Sequence, residues 1–160
     1  MSDKRLNLAR AVALIVPAAL LGGAVAFEKF GGLTACEMCW WQRYGHIAAI
    51  GFAVLAFLAP NGAARRALVA LAGLGLAASA LIGAYHAGVE YQWWKGFTAC
   101  TSEVNFAGQN PLDAIMSAPI LRCDVVQWKL FGISLAGYNF LISGVAAALV
   151  LALLARRKEA

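Results

Sequence analysis

Four cysteines carry the chemistry this sequence can do. Cys36-Glu37-Met38-Cys39 forms a C-x-x-C motif, and Cys100 and Cys123 follow much later. In C-x-x-C motifs a thiol ionises well below the value of about 8.5 for a free thiol, and exchange is fast. Arg43 follows Cys39 by four residues, which places both on one face of a helix. Thiol–disulfide exchange beside a permanent cation is therefore the first chemistry to consider. A c-type haem needs His after the second cysteine, and position 40 is Trp, so that use is excluded. A Cys₄ zinc site needs four ligands. The separation of Cys100 from Cys123 lacks the second tight pair usual in such sites, so no metal is expected. Two structural disulfides are the plainer use of four cysteines, although a C-x-x-C closes too short a loop to staple much. Residue spacing leaves all three pairings open.

The elements that position these residues follow from composition. Of 160 residues, 62% are hydrophobic and 13% charged, and the mean hydropathy is +0.71. A soluble domain carries about 25% charged residues, so too few polar groups remain to cover a water-facing surface. Charge-free windows run over Ala11–Phe27, Tyr44–Ala64, Ala67–Val89 and Leu130–Ala155. A bilayer core of about 30 Å needs about 20 apolar residues as helix. In lipid each segment must satisfy its own backbone groups, and no alternation with period two suggests a barrel. The expected fold is an all-α membrane protein, a four-transmembrane-helix bundle forming a single integral membrane domain over residues 1–160. Its spans cover about 9–27, 43–60, 66–89 and 130–155, and its two loops 28–42 and 90–129. Gly22, Gly23, Gly73, Gly75, Ser79 and Gly83 are small enough to let helix backbones approach. Ala24-Val25-Ala26 after a basic and apolar start resembles a cleavable signal peptide, but the apolar run exceeds the usual length of such regions.

Charge sets the orientation. The N-terminus, the turn at 60–66 and the C-terminus hold Lys4, Arg5, Arg10, Arg65, Arg66, Arg156, Arg157 and Lys158, against Asp3 and Glu159. The two loops hold five basic and six acidic residues. The expectation is a multi-pass protein of the bacterial inner membrane with cytoplasmic N- and C-termini and periplasmic loops. The net charge of +5 is split by apolar runs, which argues against nucleic acid. All four cysteines then sit in the oxidising compartment.

Cys39 falls where the second helix should begin, beside Trp40 and Trp41, residues suited to a headgroup interface. The helix N-terminus would stabilise a thiolate at Cys39. Arg43 would hold that thiolate or an electronegative ligand. In the second loop, Asn110-Pro111 reads as the start of a short amphipathic helix carrying Leu112, Ile115 and Met116, ended by Pro119. A Cys100–Cys123 bond there would close an exposed flap, and such bonds exchange readily. His86, near the end of the third span, is an ionisable residue in an apolar segment and so a functional candidate.

The pattern as a whole resembles the DsbB family of membrane thiol:quinone oxidoreductases. It is carried by Cys36-x-x-Cys39 with Arg43, by Tyr85-His86-Ala87-Gly88-Val89-Glu90 before Trp93-Trp94 and Cys100, and by Arg122-Cys123-Asp124-x-x-x-Trp128 through Asn139. The resemblance implies a relay. A reduced periplasmic DsbA-like thioredoxin-fold protein attacks Cys100 of a Cys100–Cys123 disulfide, freed Cys123 attacks Cys36, and Cys39 is released beside a membrane quinone, ubiquinone or menaquinone. Arg43 matches the family arginine that supports the quinone. A second quinone-contacting side chain belongs near the end of the third helix, where His86 and Glu90 are the polar candidates. Two other readings compete. One is a membrane reductase resembling the vitamin K epoxide reductases, whose quinone-side C-x-x-C comes late in the chain. The other is a non-enzymatic membrane subunit with two structural disulfides.

Overall fold

The computed structural model describes residues 3–101, 110, 112 and 121–155. Four long helices dominate it: α1 (Asp3–Phe30), α2 (Glu37–Leu58), α3 (Gly62–Glu90) and α4 (Leu135–Ala155). A 3-10 turn spans Ala99–Thr101, and a hairpin of two short strands, β1 (Lys129–Leu130) and β2 (Ile133–Ser134), precedes α4. α1, α3 and α4 are each long and apolar enough to cross a membrane. α2 carries Gln42, Arg43 and His46 in its first half, all buried. Large apolar side chains such as Leu58, Leu74, Leu81 and Val145 point outward, while Ala9, Ala13, Ala53, Ala56 and Ala72 fill the interior. That inversion suits lipid, where close backbone packing rather than burial of large side chains holds helices together.

α1 has 28 residues and α3 has 29, so at about 1.5 Å per residue each exceeds a 30 Å core. They run past the charges that bound the apolar windows, because the backbone ladder can continue through the headgroup region. α1 ends where Gly32 enters the left-handed region at φ 68°. The Asn61 side chain caps α3 by accepting the Ala64 N–H at 2.8 Å.

α3 is the central helix, and small residues let it approach its neighbours. A Cβ on Gly45 of α2 would lie 2.9 Å from Ser79 Cβ, and one on Gly83 would lie 3.0 Å from the Ala136 carbonyl of α4. Gly22 and Gly23 do not share this role. A Cβ at either would meet nothing within 4 Å, because Gly23 borders a cavity.

The fourth apolar window opens at Leu130, but α4 opens at Leu135. Phe131 and Gly132 both have positive φ, 50° and 80°, the pair of values a two-residue hairpin turn demands. The hairpin is fixed by Tyr91, whose hydroxyl donates to the Gly132 carbonyl at 2.9 Å and accepts the Ser134 N–H at 2.8 Å. Of the amphipathic helix expected after Asn110, only Asn110 and Leu112 are among the described residues, and the Asn110 side chain accepts the Leu112 N–H at 3.1 Å.

Candidate functional site

α2 begins immediately after Cys36. Cys36 is extended, at φ −76° and ψ 176°, and its sulfur accepts the Cys39 N–H at 3.4 Å. The helix N-terminus therefore serves Cys36. Cys39, expected at that position, lies within the first turn, because the helix starts three residues earlier than its tryptophans suggest. Both are free thiols with their sulfurs 3.0 Å apart. The Cys39 thiol beside it holds the Cys36 thiol well below its ordinary range, at about 4; His86 adds to the effect and burial opposes it.

Cys100 and Cys123 form a disulfide. It is not the exposed bond expected of a flap, since Cys100 and Cys123 are 7% and 1% exposed. Aromatic packing explains the burial. Phe97 lies 5.8 Å from Trp41 and 5.2 Å from Tyr85, and Trp94 stacks on Tyr85 at 5.8 Å. Trp94 Nε1 also donates to the Tyr85 carbonyl at 3.1 Å. Trp41 thus clamps the second loop as well as standing at the head of α2. The disulfide packs against Cys36, Met38 and Val89, and reactive atoms of Cys36, Cys123 and His86 all lie within 4.8 Å of one another.

His86 is 2% exposed, so it is not a solvated end residue. Its Nε2 lies 3.1 Å from the Cys123 carbonyl, 3.7 Å from Cys36 Sγ and 3.9 Å from Glu90 Oε1. On the other side of Cys39 lies a cavity of about 330 Å³ between α1 and α4. Its polar lining includes Cys39, Gln42, Arg43, His46, His86 and Glu90, and apolar residues such as Leu20, Phe27 and Ile142 form its walls. Cys39 is the one cysteine of the four that borders it. Arg43 pairs with Glu28 of α1 at 2.7 Å and lies over the Trp40 ring, 4.8 Å from its centre. The structure thus brings Arg43, His86 and Glu90 to one cavity, and packs Cys36, Cys100 and Cys123 together behind Cys39.

Composition and spacing did not single out a buried polar chain that crosses the bundle. Gln42 Nε2 donates to His86 Nδ1 at 3.0 Å, and Asn139 Nδ2 donates to Gln42 Oε1 at 2.7 Å. His46 Nε2 lies 2.9 Å from Asn139 Oδ1 and 3.1 Å from Ser79 Oγ, and Ser143 Oγ donates to Asn139 Oδ1 at 2.8 Å. The signal was present, since polar residues inside apolar windows are functional candidates by default.

Comparison with known proteins supplies a family. The profile described as "Disulfide bond formation protein DsbB" matches residues 6–153. The chain belongs to the DsbB family. It is 33% identical over 163 residues to "Disulfide bond formation protein B" of Verminephrobacter eiseniae (strain EF01-2), covering 92% of this chain and 86% of that protein. It is 27% identical over 161 residues to a protein of the same description from Marinobacter nauticus (strain ATCC 700491 / DSM 11845 / VT8), covering 89% of this chain and 88% of that one. No solved structure matches the chain. Family membership and the three apolar helices agree that this is a helical membrane protein.

Proposed function

We propose that this protein is a thiol:quinone oxidoreductase that reoxidises a periplasmic DsbA-like dithiol protein and passes the electrons to a membrane quinone, supporting disulfide bond formation. One observation carries the reading: Cys39 alone borders the cavity, while Cys36 stands between it and the Cys100–Cys123 disulfide. That order is the order of a relay. The partner's thiolate attacks Cys100 and breaks the Cys100–Cys123 bond, forming a mixed disulfide and freeing Cys123. Cys123, already in contact range of Cys36, attacks Cys36 of an oxidised Cys36–Cys39 pair, breaking that bond and releasing Cys39 at the cavity wall. The partner's second thiolate displaces Cys100 and the partner leaves as a disulfide. Cys100 then attacks Cys123, which restores Cys100–Cys123 and leaves the Cys36–Cys39 dithiol, whose electron pair leaves through Cys39.

The cavity fits a quinone ring. Its volume is within the range of small-molecule sites, and its walls are apolar with few polar groups. Two residues that line it, His46 and Glu90, each carry a buried polar atom without a protein partner, Nδ1 and Oε2. A quinone supplies a two-electron sink there. In this reading Arg43 donates to its oxygen nearer the thiols, with His86 and Glu90 beside it on the cavity wall. The low-lying Cys36 thiolate contributes as well. Stabilising the reduced form of a dithiol makes its disulfide more oxidising, which a catalyst that oxidises a DsbA-type protein requires.

In this reading α2 is a fourth span, both loops face the periplasm, and the basic termini and the 60–66 turn face the cytoplasm of a bacterial inner membrane. The test is quinone reduction by purified protein in detergent, with a reduced DsbA-type protein as donor. Wild type turns over, whereas Cys36→Ala and Cys100→Ala each abolish turnover. Absence of turnover with ubiquinone and menaquinone analogues, with a Cys100–Cys123 bond inert to the donor, would overturn the proposal in favour of structural disulfides.

A further inference from the structure

We infer that His46 forms the deeper polar end of the cavity and accepts a hydrogen bond from a ring hydroxyl there, so that the site prefers the hydroquinone to the quinone. The inference rests on the quinone reading above and assigns its second oxygen a partner.

The position is suitable. His46 follows Arg43 by three residues, which is about 4.5 Å of helix rise and comparable to the separation of the two oxygens across a quinone ring. It borders the same cavity as Cys39 and Arg43 and is 4% exposed. One oxygen at the level of Arg43 leaves the other at the level of His46.

Donor and acceptor accounting fixes the proton on the His46 ring. Two main-chain carbonyls pin the amides beside it. Gln42 Nε2 donates to the Met38 carbonyl at 3.2 Å, and Asn139 Nδ2 donates to the Ser79 carbonyl at 3.1 Å. Turning either amide over would set oxygen against oxygen. Asn139 therefore presents Oδ1, an acceptor, to His46. The Ser79 hydroxyl is already committed to the Gln42 carbonyl at 3.0 Å. Nε2 of His46 must carry the hydrogen that these two oxygens share. A neutral imidazole protonated on one nitrogen is an acceptor on the other. Nδ1 is thus a bare lone pair, buried and without a protein partner.

A quinone carbonyl facing that lone pair sets acceptor against acceptor. A hydroquinone hydroxyl satisfies it. When the Cys36–Cys39 pair becomes a disulfide, its two electrons and the Cys39 proton pass to the ring, a second proton comes from solvent, and both ring oxygens become hydroxyls. His46 then accepts from the deeper one. Leaving a buried acceptor unpaired costs enough to set a preference of about ten-fold. For a two-electron couple, ten-fold tighter binding of the reduced form raises the bound ring's potential by about 30 mV. The bound ring thereby becomes a stronger oxidant of the thiols.

The experiment measures dissociation constants for a short-tailed benzoquinone and for its hydroquinone. It uses the full-length protein in detergent under anaerobic conditions, read by tryptophan fluorescence quenching. His46→Gln keeps an amide N–H where Nε2 donates to Asn139, but its carbonyl oxygen stands one bond further from the backbone than Nδ1 and leaves the Nδ1 position without an acceptor. It should bind the hydroquinone about ten-fold more weakly and the quinone within about two-fold of wild type. His46→Leu should show the same loss, with a lower unfolding temperature because Asn139 also loses a partner. Exchange of Cys100–Cys123 with a reduced DsbA-type protein reports that each variant is folded. If folded His46→Gln holds the hydroquinone as tightly as wild type, this inference is overturned and the quinone reading stands. If wild type binds neither ring form, both are overturned.

Discussion

Arg43 Nη1 lies 2.7 Å from Glu28 Oε2, an ion pair that joins α2 to α1 at the cavity. Arg43 is 8% exposed, so its charge is held by the pair and by the Trp40 face rather than by water. A quinone oxygen would meet a guanidinium already oriented by Glu28. Arg43→Ala should raise the apparent KM for quinone by about ten-fold or more and leave the KM for the dithiol partner within about two-fold, because a charge-assisted bond is lost on one side only. Steady-state kinetics varying each substrate in turn tests this. An unchanged KM for quinone would remove Arg43 from the site.

The Cys36 thiol sets a pH dependence. Its value in the folded protein, about 4, lies below that of an unfolded thiol, about 8.5. The stabilisation of the reduced form is therefore complete above pH about 8.5. It declines as pH falls and is gone below about 4, where the thiolate is protonated. Ultraviolet thiolate absorbance of protein reduced only at Cys36 and Cys39 should persist through neutral pH and fade near pH 4. Cys36→Ser should abolish it. A midpoint near 8 would show that the helix terminus, Cys39 and His86 do not stabilise this thiolate.

The helices were legible in the sequence because uninterrupted apolar runs of such length have few other solutions. Their ends were less so, since α1 and α3 continue past the charges that bound the runs. The start of α4 was hidden by a turn that depends on Phe131 adopting a positive φ, which a bulky side chain seldom does. The four cysteines and Arg43 were legible by type and spacing, but their convergence was not. Cys36 and Cys123 meet because the aromatic clamp folds the second loop back and because His86 and Gln92 hold the Cys123 and Asp124 carbonyls. His46 carried the same signal as His86, an ionisable residue in an apolar run, yet only its contacts with Asn139 and Ser79 reveal a partnerless nitrogen.

Gly88 controls the clamp. A Cβ there would lie 2.0 Å from Trp94 Cζ2, far inside contact distance, so Gly88→Ala must displace the Trp94 ring. Trp94 then loses its place on Tyr85, and the segment leading to Cys100 loosens. Reduction of Cys100–Cys123 by dithiothreitol should accelerate by about ten-fold, since access to a disulfide governs its exchange. Quinone affinity should hold, because Gly88 does not border the cavity. Unchanged reduction kinetics would mean that Trp94 does not shield the bond.

Gln42 and Asn139 hold the two histidines in one polar chain, and the chain should behave as a unit. Asn139→Leu strands Gln42 Oε1 and Ser143 Oγ and leaves His46 Nε2 with Ser79 Oγ alone. Stranding buried polar atoms costs about 1–3 kcal/mol. Gln42→Leu strands His86 Nδ1 in the same way and leaves the Asn139 amide to Ser79 alone. Once one partner is gone, removing the other should cost less. The double variant should therefore be more stable than the sum of the two singles predicts, by about 1 kcal/mol. Equilibrium unfolding of the four proteins in one detergent closes the cycle. Strict additivity would mean that Gln42 and Asn139 act independently, and that neither fixes the amide orientation on which the His46 tautomer depends.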